Sequence, residues 1–179
     1  VCHAFSTLAT GGYSTKNASI GHFNSWALDG ITTLFMLLAG VNFTLYFLLL
    51  KGRFNALWKN GELRIYLTIT LVVSLCIAFN IADRHEGFSE AVRYASFQTL
   101  AVLTGTGFST DDFDTYPAFS KMLLVCLMFV GGCAGSTAGG MKIARIMVVF
   151  KVVYQETYRV FRPQARMSVR ISGNVVKDE

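Results

Sequence analysis

The stretch ATGGYST at residues 9–15 recurs 95 residues later as TGTGFST at residues 104–110. The same offset aligns Gly40 with Gly135, so the repeat extends into the apolar segment that follows each turn. Matched threonine-glycine turns between membrane-length helices predict backbone carbonyls that point at a shared axis, as in ion-selective pores. The repeat therefore predicts an all-α membrane protein built from related pore segments.

The composition excludes an ordinary soluble domain. Of the 179 residues, 53% are hydrophobic and 15% are charged, whereas soluble domains carry roughly a quarter charged residues. Three segments are long enough to span a bilayer. They are Ala27–Leu50, Arg64–Ala82 and Ala118–Tyr154, the last interrupted by glycines. We therefore expect a multi-pass membrane protein in contact with membrane lipid.

Each copy of the repeat is predicted to contain an outer helix, a short re-entrant helix, the turn and an inner helix. In the second copy, Arg64–Ala82 is the outer helix, and Phe88–Leu103 is too short and too polar to span. It fits a re-entrant helix, which requires surrounding protein or water. The first copy keeps only the end of its short helix, His3–Leu8, followed by the inner helix Ala27–Leu50. We expect a fragment with modules at residues 1–53 and 64–158 and a basic cytoplasmic segment at 159–179 leading to a further module.

The charges predict the orientation. Residues 51–64 and the chain from Lys142 onward carry a net charge of +8, whereas the remaining segments carry −3. The positive-inside rule places the basic segments in the cytoplasm. The turns then face outward beneath an excess of carboxylates, which raises the local cation concentration. This distribution explains the net charge of +5 better than nucleic-acid binding does, and no nucleic-acid partner is expected.

The two turns are candidate selectivity-filter elements. A dehydrated potassium ion needs several oxygens at fixed distance, and glycine permits the backbone angles that bring carbonyls together. Ordinary loop turns are the alternative, but two copies in register favour the filter. The predicted potassium-binding residues are Thr10, Gly11, Gly12, Gly105, Thr106 and Gly107.

A glycine-rich run interrupts the last apolar segment. A phosphate-binding loop is disfavoured because Met141 stands where that motif needs lysine. Gly131, Gly135 and Gly139 at four-residue spacing could pack one helix closely against another. An unwound break facing a cavity below the filter is the favoured interpretation. The candidate gate residues are Gly131, Gly132, Gly135, Ser136, Thr137, Gly139, Gly140 and Lys142.

Two interpretations remain open for the basic residues near the predicted cytoplasmic face. Lys142 either anchors the helix at the interface or points toward the pore, whereas anchoring is favoured for Arg145. The basic stretch Arg159–Arg170 either lies on anionic lipid or docks a cytosolic partner.

No enzyme or cofactor is predicted. The four cysteines lack CxxC spacing and are expected to be small buried hydrophobic residues. The three histidines form no metal-ligand pattern, and no HExxH, Ser/Lys or paired intramembrane aspartate motif is present. Asp29 lies at a predicted helix start, where capping explains it.

These motifs resemble the membrane subunit of the bacterial Trk/Ktr potassium uptake systems. The turn at residues 10–15 and the run Gly131–Gly140 followed by Met141-Lys142 carry the resemblance, which covers essentially the whole chain. It implies four helix–pore-helix–helix modules around one pseudo-fourfold pore, with Gly12 and Gly107 as two of four filter glycines. The glycine run would then be an intramembrane gating loop in the third module.

The resemblance also implies partners. These are a homodimer of membrane subunits and a cytosolic ring of nucleotide-binding regulatory subunits. The competing class is a non-conducting membrane scaffold whose glycines pack helices and whose basic tail binds a partner or lipid. Register between the two turns favours the pore, because packing does not require it.

Overall fold

A computed structural model describes residues 1–85, 87–161, 170–171 and 174–175. The described chain is mainly helical, as predicted. The helices are α1 (Cys2–Leu8), α2 (Trp26–Ala39), α3 (Phe43–Leu50), α4 (Asn55–Lys59), α5 (Gly61–Ile81), α6 (Phe88–Leu103), α7 (Ala118–Phe129) and α8 (Ile143–Phe161). Short 3₁₀ turns lie at Ser19–Phe23, Ala82–Arg84 and Phe113–Thr115, and the two-residue strands β1 (Arg170–Ile171) and β2 (Asn174–Val175) pair antiparallel.

Helix α5 meets the length and composition of a membrane span. With the 3₁₀ turn that follows it, the helix runs for 24 residues to Arg84, and an 18-residue stretch within it has a mean hydropathy of 2.2. It begins at Gly61 because the Asn60 side chain accepts a hydrogen bond from the Leu63 amide at 2.9 Å. Among the described residues, the only other candidate span is α2 with α3, if that bent pair counts as one.

Helix α6 coincides with the predicted re-entrant helix and forms the centre of the described chain. It packs against α5, α2 and α7. Ala91 and Ala95, one turn apart, are fully buried, and small residues of this kind let helices approach closely. The short polar helix is thus surrounded by protein, which is the condition for tolerating it at membrane depth.

The prediction of one helix over Ala27–Leu50 is wrong. Helices α2 and α3 meet at an angle of 93° across a break at residues 40–42. A side chain at Gly40 would overlap the Tyr66 hydroxyl, which donates to the carbonyl of Leu37 at 3.1 Å. Asn42 then starts α3 by accepting a hydrogen bond from the Thr44 amide at 2.8 Å. The first inner segment is therefore broken, as the second is.

The second inner segment is broken between α7 and α8. Residues 130–142, called the glycine loop below, contain no helix. Gly131, Gly135 and Gly139 therefore do not form a stripe along one helix face, and the helix-packing interpretation does not apply to them. Gly40 and Gly135 occupy the same repeat position, so the two copies break at corresponding points.

Asp29 does not act as a helix cap, contrary to expectation. It lies in the first turn of α2, and its Oδ2 atom accepts from both Nε and Nη2 of Arg93 on α6, each at 2.7 Å. The two side chains are 2% and 6% exposed. Arg93 also stacks against Trp26, with 4.9 Å from its guanidinium carbon to the ring centroid. This ion pair joins the first copy's inner helix to the second copy's short helix.

The prediction of four buried cysteines is correct only for Cys133. Cys2, Cys76 and Cys126 are exposed, and all four are free thiols. Cys76 and Cys126 lie on faces of α5 and α7 that point away from the protein. An apolar run at membrane length therefore indicates contact with lipid as readily as burial in a core.

We expect Arg93→Met to lower the free energy of unfolding by about 3–5 kcal/mol, because it leaves the buried Asp29 carboxylate without a countercharge. Adding Asp29→Asn should recover most of that loss. The matched control is Arg159→Met in the exposed Arg159–Glu156 pair, which should cost about 0–1 kcal/mol. Denaturant titration in detergent measures all three, and equal costs for the two arginine variants would contradict the expectation.

Candidate functional site

The two turns share one backbone conformation. Thr10 and Gly105, which the 95-residue offset aligns, have φ of 50° and 72°. Gly12 and Gly107, also aligned, have φ of 69° and 75°. Left-handed angles at alternate positions are rare outside glycine. The sequence repeat is therefore also a conformational repeat.

The turns also share their hydrogen bonds to the helices before them. The Ala9 amide donates to Phe5 at 2.9 Å, and the aligned Thr104 amide donates to Leu100 at 3.0 Å. Beyond each turn, a serine hydroxyl donates to the carbonyl two residues later. The distances are 3.0 Å from Ser14 and 2.8 Å from Ser109. Each turn is thus fixed to its short helix and closed by its own serine.

The two turns lie in direct contact. A Cβ atom at Gly12 would overlap the carbonyl oxygen of Thr106, so only glycine fits there. No atom lies within 4 Å of the corresponding position on Gly107. The predicted filter residues of both copies therefore form one continuous backbone surface.

The turns differ in burial. Thr106 is buried, and its hydroxyl shares a hydrogen bond of 2.7 Å with the Thr104 hydroxyl. The aligned Gly11 is exposed. Phe108 is 1% exposed, whereas the aligned Tyr13 is 77% exposed. The second turn is accordingly the more firmly packed of the two.

The glycine loop is closed at its neck by backbone hydrogen bonds. The Gly131 amide donates to Met141 at 2.8 Å, and the Ile143 amide donates to Gly132 at 3.2 Å. A side chain at Gly131 would overlap the carbonyl oxygen of Gly139. The two ends of the loop approach each other so closely that glycine is required.

The tip of the loop contacts both turns. The Thr10 hydroxyl lies 2.8 Å from the Thr137 carbonyl and 2.7 Å from the Ala9 carbonyl, so both accept from its single proton. The Thr137 hydroxyl donates to the Leu8 carbonyl at 3.0 Å. The Gly139 amide donates to the Thr104 carbonyl at 2.8 Å. The structure thus brings the predicted filter residues and the predicted gate residues together.

The loop also pairs with the break between α2 and α3. The Cys133 amide donates to the Gly40 carbonyl at 2.9 Å. In return, the Phe43 amide donates to the Gly135 carbonyl at 3.1 Å. The corresponding breaks of the two copies therefore satisfy each other's backbone groups.

Glu62 holds the loop from α5, and sequence reasoning missed it. Its Oε1 atom accepts from the Ala134 amide at 2.5 Å and from the Ala144 amide at 3.2 Å. One carboxylate oxygen thus connects the loop to the first turn of α8. Its signal in the sequence was its isolation, since it is the only acid among four basic residues in the segment 51–64.

Lys142 turns back onto the glycine loop. Its Nζ atom donates to the carbonyls of Ala138 and Ser136, the latter at 3.4 Å. This lysine is half-buried, whereas Arg145 is exposed. The side chain therefore stabilises loop carbonyls, a role that neither of the two sequence-based interpretations included.

Of the basic stretch Arg159–Arg170, Arg159 pairs with Glu156 at 3.0 Å, and residues 162–169 lie outside the described residues.

The excess of carboxylates that the sequence predicts above the turns is partly neutralised by basic side chains. Asp112 and Asp114 are exposed near the second turn, and Asp111 lies 3.7 Å from His85. Asp29 contributes no free charge, because Arg93 neutralises it. Burial raises the pKa of the Tyr116 phenol in the same loop, and the Asp111 charge raises it further, so this side chain remains neutral.

Comparison with known proteins decides the family. The family model described as "TrkH: Cation transport protein" matches residues 1–179. The chain belongs to the TrkH family. It is 36% identical over 179 residues to the Trk system potassium uptake protein TrkH of Salmonella typhimurium, covering 98% of this chain and 37% of the relative. It is 34% identical to TrkG of Escherichia coli, covering 99% of this chain and 37% of the relative.

A solved TrkH-family structure has the same fold. The potassium transporter TrkH from Vibrio parahaemolyticus superimposes with a TM-score of 0.89 at 36% identity, covering 97% of this chain and 38% of that one. The chain thus spans a little over a third of the length of the relatives that it matches. The all-α membrane fold predicted from the repeat is confirmed.

We expect Glu62→Ala to increase the rate at which a small thiol reagent modifies Cys133, because the loop loses the acceptor that connects it to the first turn of α8. Cys133 is 0% exposed and is held at the neck of the loop. The measurement uses the full-length TrkH-family protein with its other cysteines replaced, and Glu156→Ala, on the exposed face of α8, is the control. An unchanged Cys133 rate in Glu62→Ala would show that Glu62 does not hold the loop.

Proposed function

We propose that this chain is part of a potassium-conducting pore in the cell inner membrane. The observation that carries the proposal is the contact between two turns that have left-handed residues at the same repeat positions, with a broken inner segment next to them. The relatives named above are Trk system potassium uptake proteins, which supports potassium as the transported ion. Potassium is then the substrate, and the chain needs no cofactor.

The proposed filter consists of Thr10 to Gly12 and Gly105 to Gly107. Potassium enters a narrow pore only when protein oxygens replace its hydration shell. Turns with alternating left-handed residues can present successive carbonyls to one side, because they escape the pleat of an ordinary strand. Two turns supply half of a fourfold filter, and the rest of the protein would supply the other half.

The proposed gate is the glycine loop, which lies directly against the inner ends of both turns. A loop in that position obstructs the path of an ion that has left the filter. Its non-helical backbone is tolerated at membrane depth because the break after α2, the second turn and Glu62 supply hydrogen-bond partners. Lys142 adds a positive charge close to the path, which opposes cation passage while the loop is in place.

We further propose the assembly that the family resemblance implies. Two membrane subunits form a homodimer on cytosolic nucleotide-binding regulatory subunits. The basic end of α8 and the segment after it lie on the side predicted to be cytoplasmic, where such a partner would bind. The non-conducting scaffold is less well supported, because residues 131, 135 and 139 are not on a helix.

We expect Gly107→Ser to lower the selectivity for potassium over sodium, because a side chain at φ of 75° strains the turn by about 1–3 kcal/mol and shifts its carbonyls. Gly12→Ser should abolish transport, since the added side chain meets the Thr106 carbonyl. Uptake of both ions is measured in cells lacking other potassium systems.

Gly52→Ser is the matched control for these filter variants. Gly52 has φ of 73° and open space around it, but it lies in the loop after α3, away from the turns. Its selectivity should equal that of the unaltered protein. If Gly107→Ser behaved like Gly52→Ser, the filter assignment would be wrong.

We expect deletion of residues 135–139 to increase passive cation flux, because the pore loses the segment that obstructs it below the turns. Flux of the full-length protein is measured in liposomes, and a single elution peak in detergent confirms that the variant folds. Unchanged flux together with a weakened dimer would favour the scaffold instead.

A further inference from the structure

The hydrogen bonds between the glycine loop and the turns are reciprocal. Thr10 donates its hydroxyl to the main chain of Thr137, and Thr137 donates its hydroxyl to the main chain of Leu8, at the end of α1. The same Thr137 hydroxyl lies 3.2 Å from the Ala39 carbonyl at the end of α2. One side chain of the loop therefore joins the short helix and the inner helix of the first copy.

The first turn is the one that needs this support. Thr10 has φ of 50°, a left-handed angle that is unfavourable for a β-branched residue. Strained residues of this kind persist only where surrounding contacts hold them. The aligned residue of the second copy is Gly105, which adopts the angle without strain. Removing the loop would thus relax the first turn more than the second.

In the part of the chain that the structure describes, only one copy of the repeat connects this position to a turn. The 95-residue offset aligns Thr137 with Asn42 in the first copy. Asn42 caps the start of α3 through its 2.8 Å bond from Thr44. No hydrogen bond found among the described residues joins it to either turn. At this repeat position, Asn42 therefore bonds to a neighbour within its own copy, whereas Thr137 connects the second copy to the first turn.

We propose that Thr137 is a positioning residue that couples the gate to the filter: the docked glycine loop holds the first turn in its potassium-selective conformation. Displacing the loop removes the support of Thr10 and the bond from Gly139 to Thr104 together. Selectivity then depends on the state of the gate. This inference rests on the proposed function, because it requires the turns to be a filter.

Coupling between two sites is reciprocal. If the docked loop favours the selective filter, then potassium bound in the filter favours the docked loop by the same factor. Loss of one hydrogen bond of ordinary strength corresponds to about a threefold to tenfold change. Potassium should therefore protect the loop from opening, whereas sodium should not.

The test measures the rate of Cys133 modification by a small thiol reagent in the full-length protein, with all other cysteines replaced. Rates in potassium chloride and in sodium chloride are compared at equal ionic strength. In the protein with an unaltered loop, Cys133 should react about threefold to tenfold more slowly in potassium chloride than in sodium chloride. Thr137→Val keeps the volume but removes the hydroxyl, so its two rates should become nearly equal. Thr137→Ser keeps the hydroxyl and should restore the protection.

Thr70→Val is the matched control, because it removes a buried hydroxyl that bonds only within α5, to Tyr66 at 2.9 Å. It should retain the full potassium effect. Potassium protection that persists in Thr137→Val would overturn the coupling. Equal rates in the two salts in a protein that still takes up potassium selectively would overturn the coupling and leave the proposed function intact. Absence of any potassium uptake would overturn both.

Discussion

The constraint that organises this structure is the need to satisfy unwound backbone at membrane depth. Hydrocarbon offers no hydrogen bonds, so non-helical segments persist there only when protein or water supplies partners. The glycine loop meets this need from three sides. Gly40 accepts from Cys133, Glu62 accepts from Ala134, and Thr104 accepts from Gly139. Each partner lies on a different element, so the loop binds the inner helix, the outer helix and the second turn into one unit.

This constraint also explains why the two copies break at the same repeat position. A break in one inner segment exposes amides and carbonyls that need partners, and the corresponding break in the other segment offers them. The bonds from Cys133 to Gly40 and from Phe43 to Gly135 are such an exchange. If either segment were a continuous helix, the unpaired backbone groups at the break in the other segment would lack these hydrogen-bond partners. The 93° bend and the glycine loop are therefore one feature rather than two.

The sequence predicts features that depend on neighbouring residues, but not features that depend on contacts between residues far apart in the chain. The bounds of α6 and the left-handed angles at Gly12, Gly105 and Gly107 depend on local residue types, and both were accessible from composition and from the repeat. The bend after Ala39 was not, because its stabilising partners lie on the glycine loop far along the chain. The same applies to Asp29 with Arg93, which are 64 residues apart, and to Glu62 with Ala134, which are 72 apart. Charged residues inside apolar helices indicate that a partner exists, but the sequence does not identify it.

The two copies are related but not equivalent, and this asymmetry bears on how the proposed pore would be controlled. The second turn is stabilised from within, by buried Thr104 and Thr106 hydroxyls that bond to each other. The first turn has an exposed Gly11 in place of Thr106, and the side chain of its left-handed Thr10 bonds to the glycine loop, whereas the second turn bonds to that loop through the main chain of Thr104. A symmetric filter would respond uniformly to any movement below it. In the proposed filter, a movement of the glycine loop would act first on the first turn, so a small displacement would change ion binding there while the carbonyls of the second turn stay in place.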